Sequence, residues 1–329
     1  MRRFGRALGR GLLALAVPVA ALWAFGPYED VDLTASFDAR KFGEGVQVYF
    51  ESVESRYGDI TPGAEKRVVW AGQAETRTPV SVLYIHGFSA TSEEIRPVPD
   101  RVAEALGANL VFTRLTGHGR SGAAMLEATP KAWMQDTAEA LAAAAQVGKR
   151  VVVIANSTGA TLATVAALDA ELSQSIDAMV LMSPNYGLNT VFAPLLTWPA
   201  SRFWLPPLAG REVELPVRSE AYGRFWTTRY PSQAVLPMAA MLKTVSKLDF
   251  SQTDVPALFW YSDGDKVVRP DITAEVAAAW GGPVAVNLVP PGAADDVHGH
   301  ILAGDIVSPS QTQATVDGIL SWLNTKGFE

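Results

Sequence analysis

From about residue 45 the chain alternates apolar, β-branched runs with longer amphipathic or alanine-rich stretches. That rhythm predicts an α/β fold, a mostly parallel central sheet flanked by helices. Residues 80–85 (VSVLYI) and 150–155 (RVVVIA) are continuous apolar runs, as expected of strands buried on both faces. Further strands are predicted at 109–113, 178–183, 257–261 and 284–289, and helices at 93–106, 132–147, 159–172 and 311–323. Upstream, residues 46–52 and 66–71 are β-rich and predict an antiparallel start to the sheet.

The rhythm stops between residues 184 and 254. This segment holds many prolines, no clear strand, and nine aromatics from Tyr186 through Tyr230. It is too long for an ordinary loop and reads as an inserted subdomain, a lid or cap. The predicted organisation is therefore a core of residues 29–183 and 255–329 with the lid at 184–254. The lid aromatics Phe192, Trp198, Phe203, Trp204, Tyr222, Phe225 and Trp226 supply either a pocket lining or a small core of the lid's own.

The first 28 residues form a third region. Arg2, Arg3, Arg6 and Arg10 precede 18 uncharged residues, from Gly11 to Tyr28. At ~1.5 Å per helical residue the run would span about 27 Å, marginal for a bilayer. Arginines ahead of an apolar run predict a membrane anchor or export signal, with the remainder of the chain outside the cytoplasm. Val19-Ala20-Ala21 is a poor cleavage site and Pro27 crowds the later ones, which favours an uncleaved anchor over a cleaved signal.

Charge and cysteine content narrow the chemistry. The chain carries 27 basic and 34 acidic residues, net −7, which argues against a nucleic-acid partner. With no cysteine, a thiol nucleophile and cysteine-held metals are excluded. No HExxH or dinucleotide fingerprint occurs, so no metal or cofactor is expected.

The sharpest motif is VVVIANSTGA at 151–160, a β-branched run that halts at Asn156-Ser157-Thr158-Gly159 before helix-forming residues resume. This is the setting of a nucleophile elbow, whose crossing strand and helix demand small residues such as Ala155 and Gly159. A serine needs a base, and the base an orienting carboxylate. Of four histidines, only His298 and His300 follow the serine beyond the last predicted strand. Asp263 and Asp265 follow the strand at 257–261; Asp265, past the turn, is the better placed. Asp295 and Asp296 share the histidines' own loop and are set aside as partners. One oxyanion donor is the Thr158 N–H. The other is expected from His86-Gly87-Phe88, after the strand ending at residue 85.

Together IHGF (85–88), TGHGRSG (116–122), the elbow, SDGDKVV (262–268) and the late histidine resemble the α/β-hydrolase superfamily. The similarity covers roughly residues 80–325 and is greatest in character to carboxylesterases, monoacylglycerol lipases and lysophospholipases. It implies Ser157 as nucleophile, Asp265 as acid, and Phe88 and Thr158 as oxyanion donors. His300 is preferred to His298 because HILAGD (300–305) resembles the segment that begins at the family's catalytic histidine. Ala155 and Ser262 depart from the family by standing where glycine is usual. The expected activity is cleavage of small-molecule or lipid esters with medium or long acyl groups. Amide or peptide cleavage, and a non-catalytic ligand-binding protein of the same fold, are the alternatives.

Overall fold

The computed structural model describes residue 14 and residues 16–328. Seven strands form the main sheet: β1 (Arg67–Val69), β2 (Thr78–Ile85), β3 (Asn109–Phe112), β4 (Gly148–Asn156), β5 (Ala178–Met182), β8 (Ala257–Tyr261) and β9 (Val284–Leu288). Their order is β1-β3-β2-β4-β5-β8-β9, with β1 antiparallel to β3 and every other pairing parallel. Both faces are covered, as a parallel sheet requires. Leu83, Ile85, Val153, Ala155, Leu181 and Phe259 point one way. They meet α1 (Val46–Glu54), α3 (Pro130–Val147), α4 (Thr158–Leu168), α7 (Val235–Val245) and α8 (Pro270–Ala279). Val82, Tyr84, Val152, Ile154, Val180 and Trp260 point the other way, onto α2 (Val98–Ala105) and α9 (Thr312–Asn324).

Three local expectations are corrected. Residues 46–52 form helix α1, whose buried Val46, Phe50 and Glu54 recur every four residues while Val48 is exposed. The Glu75 carboxylate accepts the Val46 and Gln47 N–H groups and so caps the helix start (3.1 and 2.9 Å). The second concerns the insertion at residues 184–254, here called the lid for its place over the sheet's carboxyl edge, which does contain strands: β6 (Glu212–Glu214) and β7 (Arg229–Pro231) pair as a small antiparallel sheet. Three residues each is too short for an alternation signal. The helix expected at 93–106 starts only at Val98, because Pro97 and Pro99 withhold N–H donors and disfavour helix before them.

Besides its hairpin the lid carries α5 (Ser201–Ala209) and α6 (Glu220–Phe225). Its last helix, α7, buries Met238, Met241, Leu242 and Val245 in the sheet's own core layer and fastens the insertion to the core. At the N-terminus residues 16–25 are helical and rest on the lid. Trp23 meets Trp198 edge-on at 5.4 Å, and the Ala200 N–H donates to Pro27 O (2.7 Å). Arg202 donates two hydrogen bonds to Glu29 (2.8 and 2.6 Å). Residues 1–13 and 15 of the expected anchor lie outside the described residues. Among the described residues no helix is long and apolar enough to cross a membrane.

Candidate active site

The sheet brings the site together at the carboxyl ends of its strands. Central β4 delivers Ser157, and the turns after β8 and β9 deliver Asp265 and His300. Ser157 adopts φ 52°, ψ −119°, a conformation that costs a non-glycine residue roughly 1–3 kcal/mol. The turn is tight enough to dictate its neighbours. A Cβ at Gly159 would lie 2.3 Å from Ile85 O and 2.6 Å from His86 O. Ala155, paired in register with Ile85, is fully buried at the same crossing.

Three side chains form one hydrogen-bonded line. The Ser157 hydroxyl donates to His300 Nε2 (3.0 Å), and His300 Nδ1–H donates to Asp265 Oδ2 (2.7 Å). All three are buried, with 7%, 7% and 3% of their surface exposed respectively. Asp265 Oδ1 is also occupied, accepting the Val267 and Val268 N–H groups (2.8 and 2.9 Å). The carboxylate therefore cannot rotate away from the imidazole. Burial pulls the His300 pKa down, but the charge and hydrogen bond of Asp265 outweigh it, leaving the pKa above the ordinary histidine value.

His298 and Asp263 take no part in this line. Both are exposed; His298 lines the mouth of the cavity and its carbonyl accepts the Lys266 N–H (2.9 Å). His118 and His86 are fully buried beside the loop after β2, and burial holds both largely neutral, with His118 lowered to about 4. His86 Nδ1–H donates to Gly87 O (2.8 Å) while its Nε2 accepts the Leu115 N–H (3.1 Å), a pattern that fixes the neutral tautomer. Among the described residues the Phe88 and Thr158 N–H groups have no protein acceptor, and both residues line the cavity.

Asp296 is a site residue that sequence spacing did not single out for a role. Its carboxylate accepts the N–H groups of His298, His300 and Ile301 (3.1, 3.1 and 2.9 Å) and pairs with Arg218 (2.7 Å). Those donors outweigh burial and hold its pKa below the usual carboxylate value. The Ser183 hydroxyl completes the support by donating to His300 O (2.6 Å). Nothing in the string GAADDVHGH distinguishes a carboxylate that organises a loop from one that faces water.

The hydrogen-bonded line opens into a cavity of about 890 Å³ beneath the insertion at residues 184–254. Its walls are mainly apolar, built by Leu188, Leu196, Leu215, Tyr222, Trp226, Tyr230, Val235 and Met238. The lid aromatics divide accordingly. Tyr222 and Trp226 stack 4.5 Å apart within the wall, while Phe192 and Phe203 are exposed on the outer surface. Among the described residues no cluster of acidic and histidine side chains is arranged to hold a metal ion.

A fold and site of this kind define a hydrolase class, and comparison agrees. The profile of the alpha/beta hydrolase family matches residues 82–306, more than half of the chain, and the protein belongs to that family. It is 28% identical to the thermostable monoacylglycerol lipase of Bacillus sp. (strain H-257) over 194 residues, 58% of this chain and 73% of that protein. Its fold resembles a solved structure from work on the metagenome-derived lipolytic enzymes LipS and LipT. The TM-score is 0.64 at 18% identity, covering 81% of this chain and 99% of that one. A soluble variant of monoglyceride lipase from Saccharomyces cerevisiae, in complex with a substrate analog, gives 0.57 at 14% identity, covering 80% and 91%. At these identities the structural likeness speaks for the fold alone.

Proposed function

We propose that this protein is a serine hydrolase that cleaves carboxylic esters of apolar acyl groups through an acyl-enzyme. The observation that carries the reading is the line Ser157–His300–Asp265 opening beneath an apolar cavity. His300 Nε2 takes the hydroxyl proton as Ser157 Oγ attacks the ester carbon. The free N–H groups of Phe88 and Thr158 receive the developing oxyanion, with the α4 N-terminus behind them. His300 then gives its proton to the leaving alkoxide, and the acyl group stays on Ser157. In the second half His300 takes a proton from water, the hydroxide attacks the acyl carbon, and the proton returns to Ser157. Asp265 holds the imidazolium throughout.

The relative named a monoacylglycerol lipase supports the ester class and a lipid-like substrate. The basic, apolar N-terminus supports an anchor that keeps the enzyme at a membrane outside the cytoplasm. Val17, Val19 and Phe25 of the N-terminal helix are exposed, as are Phe203 and Leu208 of the lid, and exposed apolar side chains suit a lipid-facing side. Steady-state turnover of p-nitrophenyl esters from acetate to dodecanoate, in wild type and Ser157→Ala, tests the reading. Ser157→Ala should remove nearly all turnover with the fold intact; activity near wild type would end it.

A further inference from the structure

One buried acid in the cavity wall takes no part in the steps above. Glu94 lies between β2 and α2, is 2% exposed, and lines the catalytic cavity. Its Oε2 accepts the Gly87 N–H (2.7 Å) and the Tyr84 hydroxyl (2.9 Å). We propose that Glu94 is a positioning residue for ester cleavage, clamping the turn from which Phe88 presents its N–H to the oxyanion. The proposal rests on the reading of the site given above.

Peptide planarity carries the inference. The Gly87 carbonyl and the Phe88 N–H share one rigid plane and point in opposite directions. His86 Nδ1–H holds that carbonyl at 2.8 Å, and His86 is itself locked by the Leu115 N–H. Glu94 holds the preceding plane through the Gly87 N–H. Both polar backbone groups of residue 87 are thus fixed by side chains, and the first free donor after them is the Phe88 N–H. Space is equally constrained. A Cβ at residue 87 would stand 2.7 Å from Glu94 Oε1 and 3.1 Å from Ser157 Cβ. The Glu94 carboxyl and the Ser157 side chain therefore leave room only for glycine at residue 87.

A neutral side chain would suffice to satisfy one N–H, so the acid needs a reason. Burial pushes the Glu94 pKa up, while the Gly87 N–H, the Tyr84 hydroxyl and the charge of His300 act against it. The groups facing His300 are Asp265 after β8, Asp296 in its own loop and Glu94 before α2, and each favours the imidazolium. The carboxylate of Glu94 holds the oxyanion turn and adds negative potential where the imidazolium forms.

The test is steady-state kinetics of the full-length protein on a short p-nitrophenyl ester across the acid limb, with Glu94→Leu and Glu94→Gln. Glu94→Leu should lower kcat by about 100-fold with KM nearly unchanged, because the donor is displaced only from the transition-state oxyanion. Glu94→Gln keeps a carbonyl for the Gly87 N–H and should recover about tenfold of that loss. Its acid limb should nevertheless move to lower pH, since the charge facing His300 is gone. Folded Glu94→Leu with wild-type kcat, or a loss confined to KM, would overturn the proposal. If Glu94→Leu does not fold, Glu94→Gln decides alone: an unmoved acid limb overturns it. Turnover surviving Ser157→Ala contradicts the reading of the site, whereas serine-dependent turnover indifferent to residue 94 contradicts only this proposal.

Discussion

At the residue scale the proposed mechanism depends on holding a weak nucleophile against a base whose proton positions are fixed. Ser157 is kept at positive φ by the crossing of β4 and α4, and its own N–H is held by Met182 O (2.9 Å). His300 receives its tautomer from Asp265, and Asp265 its orientation from two backbone N–H groups. His300→Ala should therefore lower kcat by about 10⁴-fold or more, whereas exposed His298→Ala should stay within about threefold of wild type. Steady-state kinetics on one short ester checks both, and the reverse order would move the base to His298. The pH dependence follows in sign. The base must be neutral to take a proton, and its pKa stands above the ordinary histidine value. Plots of kcat/KM should accordingly fall with acid through a pKa above about 6.5, and an acid limb well below that value would show a base without its carboxylate.

At the element scale the loop after β9 is the part most exposed to loosening. Asp296 supplies the acceptors for three of its N–H groups and anchors Arg218 of the lid beside them. Replacing Asp296 with alanine leaves those buried donors unpaired and should cost about 3 kcal/mol of stability. Urea unfolding measures that cost, and kcat should fall with it because His300 rides on the same loop. Unchanged stability would show that water replaces the carboxylate. Elements differ in how openly the sequence declares them. Residues 151–160 were legible because a β-branched run must end where small residues let a helix cross it, and few other folds need that order. Residues 46–52 were not. Val46, Val48 and Phe50 alternate like a strand, and only the packing of Phe50 and Glu54, with the Glu75 cap, decides for helix. The hairpin of β6 and β7 and the roles of Asp296 and Glu94 were silent for one shared reason. Each depends on which backbone groups a folded turn or hairpin presents, and backbone groups leave no mark in a sequence.

At the scale of the whole molecule the lid divides its aromatics between a wall and a surface. A cavity lined by Leu188, Val235, Met238 and Trp226 should reward longer acyl chains by roughly 0.8 kcal/mol for each methylene buried. The slope of log kcat/KM against acyl length measures this, and a slope that is flat or falls from acetate onward would contradict an acyl groove. The proposed role of the N-terminus is location, with no catalytic group supplied. Full-length protein should fractionate with membranes, and wholly soluble protein with an intact N-terminus would remove the anchor.

The central claim is that Ser157 is activated by His300 and Asp265. Reaction with a fluorophosphonate, followed by mass spectrometry of the peptide carrying residue 157, tests it most directly, because only an activated serine is rapidly phosphonylated. The account predicts one adduct per chain, on Ser157, formed rapidly in wild type and lost in His300→Ala. Ester turnover by protein whose Ser157 remains unmodified, or an adduct on another residue, would contradict it.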